Sequence, residues 1–337
     1  MVQSRASTVI AIGETMLGRS NLAVIRVRRQ ARRAALLMQQ GNLSGATIAY
    51  TDAIEQAERE LGPDDPMTIA LINDSAELCR IRGDLKEARR LGERAVATSG
   101  RVLGPEHPTT LTAITNLALV LRSQGEFADA LALHEQELAS QRRQHGDDHP
   151  DTLTSIGHLA RCRLDMGDVD TAHALAQRAV AGWRRLRGPD DPTTLIALDN
   201  LAMIRRWCGD LNGAFALAQE AVAGLRRALG EENRDTLTAL RNYAAILFQR
   251  GDIDRAAALD EHVVSLSVRV LGAEHPATLD AVENLAAVRY TQRRLGEAHA
   301  LYKDLLSTSR RTLGLRHPAT IARARALDEV TAAMTAD

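Results

Sequence analysis

A motif whose fullest form is Leu103-Gly104-Pro105-Glu106-His107-Pro108-Thr109-Thr110 recurs along most of the chain, and its glycine falls at Gly62, Gly104, Gly146, Gly188, Gly230, Gly272 and Gly314. Every step is 42 residues, with no insertion or deletion. A fixed period of this size marks stacked repeat units, each touching its neighbours, and not one globular domain. Such an array offers a long surface and rarely a closed pocket, so the period argues for binding over chemistry.

The unit reads as a helical hairpin. Proline at the first helical position costs no hydrogen bond, because that N–H has no helical partner in any case. The residue before it cycles through Asp65, His107, His149, Asp191, Asn233, His275 and His317, a helix-capping position. Thr68, Thr110, Thr152, Thr194, Thr236, Thr278 and Thr320 follow three positions later, and their hydroxyls are expected to reach back to the cap. Leu111, Ile114, Leu117, Ala118 and Leu121 then form one apolar stripe on the first helix, helix A. Gly125, repeated as Gly41, Gly83, Gly167, Gly209 and Gly251 and replaced by Arg293 in the seventh unit, closes helix A. Helix B starts near Phe127, and its Ala130 recurs as Ala46, Ala88, Ala172, Ala214, Ala256 and Ala298, which lets helices approach closely.

A hairpin of this kind cannot bury its apolar stripe alone and needs the next one. The expected fold is all-α, a solenoid of about seven hairpins from Asn21 onward, closed by a lone helix from Pro318 to about Ala333. That makes fifteen helices and no sheet. Residues 1–20 are expected to be an extension and 21–337 a single array.

Composition narrows the function. Hydrophobic residues are 45% and aromatics only 3%, so the core must come from Ala, Leu, Val and Ile. A net charge of −1 gives no bulk attraction to nucleic acid or anionic membrane. Cys79, Cys162 and Cys208 are widely spaced and form no disulfide framework, which suits a reducing cytoplasm, and they read as small apolar filler. No apolar run reaches membrane-span length, and residues 1–20 lack the layout of a signal peptide. Charge is uneven, however: Arg26, Arg28, Arg29, Arg32 and Arg33 crowd the first hairpin, while the segment from Thr51 to Gly100 is acidic. The basic hairpin is therefore a candidate dock for an acidic surface, either a partner's or another copy's, which would make a homo-oligomer. A solvated end cap is the plainer reading.

The run 103–118, with Gly125 and Ala130 behind it, resembles a tetratricopeptide repeat, specifically the 42-residue variety of kinesin light chains and many bacterial repeat proteins. The resemblance covers about residues 22–334 and implies a right-handed superhelix whose helices A line a concave groove. It implies a non-catalytic scaffold that holds a protein or peptide segment there, without cofactor or metal. The alternative is a regulatory sensor whose superhelix responds to a small peptide or metabolite. Any nucleotide-binding STAND engine would be a separate protein, since the chain has no phosphate-binding glycine-lysine loop.

On that resemblance the groove column runs Asp74, Asn116, His158, Asn200, Asn242 and Asn284. A ladder of carboxamides suits the N–H and C=O of an extended peptide, and it suits equally well the bracing of adjacent helices. Thr115, Asp199, Arg241 and Glu283 precede the four asparagines and are expected to read side chains. Arg161, Arg206 and Arg241 add forks that favour an acidic partner, unless local carboxylates hold them. Trp207, Phe248 and Tyr290 form an apolar shelf or belong to the core. His145 and His149 with Asp147 and Asp148 fit no strong zinc pattern, and the chain holds no hydrolase or dinucleotide signature. Neither a catalytic nor a metal residue is expected.

Overall fold

The computed structural model describes residues 22–315 and 317–336. The expected extension over residues 1–20 lies outside the described residues. Among the described residues fifteen helices follow one another: α1 Leu22–Gln39, α2 Leu43–Glu60, α3 Pro66–Ile81, α4 Leu85–Leu103, α5 Pro108–Gln124, α6 Phe127–His145, α7 Pro150–Asp165, α8 Val169–Arg187, α9 Pro192–Trp207, α10 Leu211–Leu229, α11 Arg234–Gln249, α12 Ile253–Leu271, α13 Pro276–Thr291, α14 Leu295–Thr312 and α15 Pro318–Ala336. No strand occurs among the described residues. The chain is an all-α solenoid of helix pairs, α1/α2 through α13/α14, with α15 alone at the end. The described residues divide into two compact units between Ser140 and Gln141.

The repeat landmarks carry the structure as their chemistry requires. Asp65, Asp191 and Asn233 cap helix A through a side-chain oxygen. The histidines do the same through Nδ1, which accepts the N–H of Thr109, Asp151, Ala277 and Ala319 from His107, His149, His275 and His317 respectively. The threonines behave differently from expectation. Thr68, Thr110, Thr152 and Thr278 donate not to the cap but to the carbonyl of the loop glycine six residues back, at 2.7–2.8 Å. The cap already accepts from the residue two positions on, so the hydroxyl serves to tie the loop to the first turn. Helix B has its own caps, Asn42, Asp84, Asp168 and Asp210, each bonded to the backbone N–H three residues ahead.

Gly125 holds φ of 82°, the left-handed turn that closes helix A, and Arg293 takes the same turn at φ of 60° without glycine's freedom. All seven helix-B alanines, from Ala46 to Ala298, are completely buried. In the unit before Gln141, Ile72, Ala76, Ala88, Leu91, Ala95, Ala113 and Val120 form a core of α3, α4 and α5. In the unit after it, Leu195, Val222, Leu225, Leu237, Leu240, Val263 and Leu266 run through α9 to α12. On the surface, arginines of one repeat column meet acids of another: Arg101–Asp64, Arg185–Asp148, Arg227–Asp190 and Arg269–Glu232 pair at 2.5–3.2 Å, and Arg311 pairs with Glu274. These exposed pairs add little stability each.

Candidate functional site

The helix-A column stands half-buried throughout: Asn116 on α5, His158 on α7, Asn200 on α9, Asn242 on α11 and Asn284 on α13. Column geometry follows from the helical period, since residues seven apart lie on one face and put Trp207 in line with Asn200. The four amides are not equivalent. The Asn242 Nδ2 donates to Asp199 Oδ2 at 2.7 Å, across adjacent repeats. The side chains of Asn116, Asn200 and Asn284 make no hydrogen bond among the described residues.

The residues before the asparagines turn inward, away from the reading role assigned to them. Thr115 is buried and donates to Leu111 O of its own helix. Asp199 is 5% exposed, and burial pushes its carboxyl up to about 6 despite the hydrogen bond from Asn242. Its Oδ1 has no partner. Arg241 pairs with Asp280 at 3.2 Å. Glu283 accepts from Arg323 at 2.8 Å. A side chain one position from a half-exposed residue points about 100° away, toward the neighbouring repeat, and each of these four finds a partner there or on its own helix.

Of the groove arginines, Arg161 and Arg206 form no ion pair among the described residues. Arg161 is exposed. Arg206 is half-buried, its Nε has no acceptor, and burial together with the positive charge of Arg161 pulls the guanidinium downward. A buried N–H without an acceptor is costly, and here it goes uncompensated. The Arg206 guanidinium lies 5.4 Å from the ring centre of Trp207.

The three aromatics separate. Trp207 is 66% exposed and Tyr290 38%, whereas Phe248 packs on the cluster of Leu247, Ala256, Ala257 and Val288. Cys79 and Cys162 fill the core, but Cys208 sits at the end of α9 in solvent, contrary to its reading as filler, because its position follows the last helical turn. At the α6–α7 loop, Asp147 goes to Arg142 and Arg178 and Asp148 to Arg185, so neither joins the histidines. The His145 and His149 rings stack at 4.2 Å and have Asp151 beside them. The His149 Nδ1 is engaged as a helix cap, which puts its proton on Nε2 and leaves that nitrogen without a lone pair for a metal. No described helix is long and apolar enough to cross a membrane.

Comparison with known proteins follows the same lines. The profile described as "Tetratricopeptide repeat" matches residues 24–99, 69–143, 109–185, 157–227, 193–267 and 235–311. Among solved structures, NprR in complex with its cognate peptide NprX is 13% identical, with a TM-score of 0.61 over 92% of this chain and 85% of that one. Rap protein complexed with Competence and Sporulation Factor is 11% identical, with a TM-score of 0.60 over 97% and 92%. A putative kinesin light chain repeat protein from Podosopora anserina is 26% identical, with a TM-score of 0.48 over 61% and 97%. A sequence search of curated proteins gives no match.

Proposed function

The chain belongs to the tetratricopeptide repeat family, and from that premise we propose that it is a non-catalytic scaffold holding an extended, acidic segment of a partner protein along its helix-A face. On this reading residues 21–337 work as a single array in the cytoplasm, and helices A line the groove. One observation carries the proposal. In the unit after Gln141, the amides of Asn200 and Asn284 are half-buried and make no side-chain hydrogen bond, and the guanidiniums of Arg161 and Arg206 form no ion pair, among the described residues. Amides without partners suit a peptide backbone, which repeats both a donor and an acceptor. Unpaired arginines suit carboxylates, and Trp207 offers a flat apolar surface beside them. NprR, a protein of the same fold, was solved with its cognate peptide, in keeping with this use. Asn242 belongs to the scaffold here, and in the unit after Gln141 the ladder narrows to Asn200 and Asn284.

The test begins with capture of binding proteins from the native host on the immobilised chain, with identification by mass spectrometry. The captured partner is then titrated calorimetrically against wild type, Asn200→Ala/Asn284→Ala and Arg161→Ala/Arg206→Ala. Each lost contact is expected to cost about 0.5–1.5 kcal/mol, hence roughly tenfold to a hundredfold in affinity per double variant. Melting curves should stay unchanged. Equal affinity for all three proteins would remove the helix-A face from the binding site.

A further inference from the structure

We infer that the outer side of α1 is a seat for an acidic amphipathic helix of a partner protein, separate from the helix-A groove. Leu22, Ile25 and Leu36 are 69%, 56% and 53% exposed. With Arg29 and Arg32 between them they form one stripe at helical spacing. The repeat shows what such a stripe is for. One period on, Ile25, Arg29 and Leu36 become Met67, Leu71 and Leu78, which are 4%, 0% and 1% exposed. Two periods on, Arg29 and Leu36 become Ala113 and Val120, buried in one cluster with Ala88, Leu91 and Ala95 of α4. There Gly92 comes so close that a Cβ on it would lie 3.1 Å from Leu117. This side of a helix A is where the preceding helix B packs, and on α1 no described residue covers it.

Charge specifies the occupant. Arg29, Arg32 and Arg33 are exposed and have no ion pair among the described residues. Seven periods after Arg29 stands Arg323, 1% exposed, donating to Asp280 and Glu283 of α13 at 2.9 and 2.8 Å and to Ser309 of α14 at 2.9 Å. An arginine in this column is therefore satisfied by carboxylates from the preceding hairpin. Whatever covers this side of α1 must supply the same, together with a stripe of small and apolar residues. A second copy is a poor source. Its acidic helix α2 carries Asp52, Glu55, Glu58 and Glu60, but the small and aromatic face of that helix, Ala46, Tyr50, Ala53 and Ala57, is already buried at 0–2% exposure.

The same α2 sequence, free of its own hairpin, is a suitable probe. A fluorescent synthetic peptide of residues 42–61 is titrated by anisotropy against the full chain. Saturable binding that weakens with salt is expected. Arg29→Glu/Arg33→Glu and Ile25→Asp/Leu36→Asp, all at exposed positions, should each weaken it by roughly tenfold or more. Asn200→Ala/Asn284→Ala should leave it unchanged, which separates this seat from the groove. Absence of saturable binding, or undiminished binding by the arginine-reversed chain, overturns the inference. Binding seen only after removal of residues 1–20 would assign the face to the chain's own start. Self-association in sedimentation that the arginine reversal abolishes would assign it to a second copy.

Discussion

Arg29 and Arg323 occupy the same place in the repeat, seven periods apart, and have opposite fates. Arg29 points into solvent without an ion pair among the described residues. Arg323 is completely enclosed and held by two carboxylates and a hydroxyl. Between them the column holds Leu71, Ala113, Ser155, Ala197, Ala239 and Ala281, all buried. The residue type does not decide the outcome. What decides it is whether a described hairpin packs against the slot, and which groups that hairpin offers. A repeat position is a slot whose energetics are written by its neighbour.

The largest expected effect tests that statement directly. Arg323→Ala should lower stability by about 3 kcal/mol or more, because it opens a cavity, takes the cation from Glu283 and leaves Asp280 with Arg241 alone. Arg29→Ala should stay within about 0.5 kcal/mol. Chemical denaturation measures both, and hydrogen exchange should place the Arg323 loss in α15 and α14 first. Comparable losses for the two variants would end the comparison.

Asp260 sharpens it by being a departure without a compensating neighbour. Its column holds Ala176 and Ala218 in the two preceding repeats, yet here a carboxyl is 1% exposed with Oδ1 unpartnered. Burial pushes it up to about 7, and the charge of Arg241 only partly opposes this. The folded state thus holds the proton more tightly than the unfolded chain, whose Asp titrates near ~4. The contribution to stability is full below about pH 4 and is lost as pH rises through about 7. Asp260→Ala should raise stability at pH 8 by on the order of 2 kcal/mol and flatten the slope between about pH 4 and 7. His275 acts in the opposite sense. Burial lowers it to about 4, so its cap is intact above about 6.5 and is lost as pH falls toward 4. Denaturation midpoints across pH separate the two, and an unchanged loss of stability from about pH 4 to 7 in the alanine variant would show that Asp260 is not the group responsible.

The same logic explains what could be read in the chain without coordinates. The hairpins, their boundaries and the lone last helix were legible because Gly125, Ala130 and the cap before Pro108 depend only on their own unit. Helix-B caps such as Asp84 and the Arg101–Asp64 row also recur at 42 residues, so the period itself marked them without revealing their roles. The candidate site was less legible, because identical asparagines meet different neighbours. Asn242 and Asn200 look alike in sequence, but Asp199 lies one repeat back from the first and Gly157 one repeat back from the second. A carboxylate 43 residues away decides whether an amide braces the scaffold or stays open.

That distinction gives the next measurement. Asn242→Ala strips buried Asp199 of its donor and should cost about 1.5 kcal/mol of stability. Asn200→Ala and Asn284→Ala remove amides that hold nothing among the described residues, and each should fall within about 0.5 kcal/mol. Thermal unfolding of the three variants reads the difference. Equal losses would make all three braces and would leave the proposed groove without its ladder.

The smallest effect concerns the one place where the repeat's own landmark is broken. Six copies close helix A with glycine, at φ between 74° and 86°. The seventh closes with Arg293 at φ of 60°, a region where a Cβ crowds the backbone. The turn is held nonetheless, because the backbone N–H of Arg293 bonds to Tyr290 O and that of Arg294 to Arg289 O, the same pattern as at the glycine turns. The Arg293 side chain is exposed and has no ion pair among the described residues to lose. Arg293→Gly should therefore relieve the backbone at the cost of some extra freedom in the unfolded chain, for a net gain of about 0.5–1 kcal/mol. The gain should appear as slower hydrogen exchange in α13 and α14 before any change elsewhere. A loss of stability would mean that the arginine contributes through contacts at this turn, and that even the backbone slot is set by its neighbours.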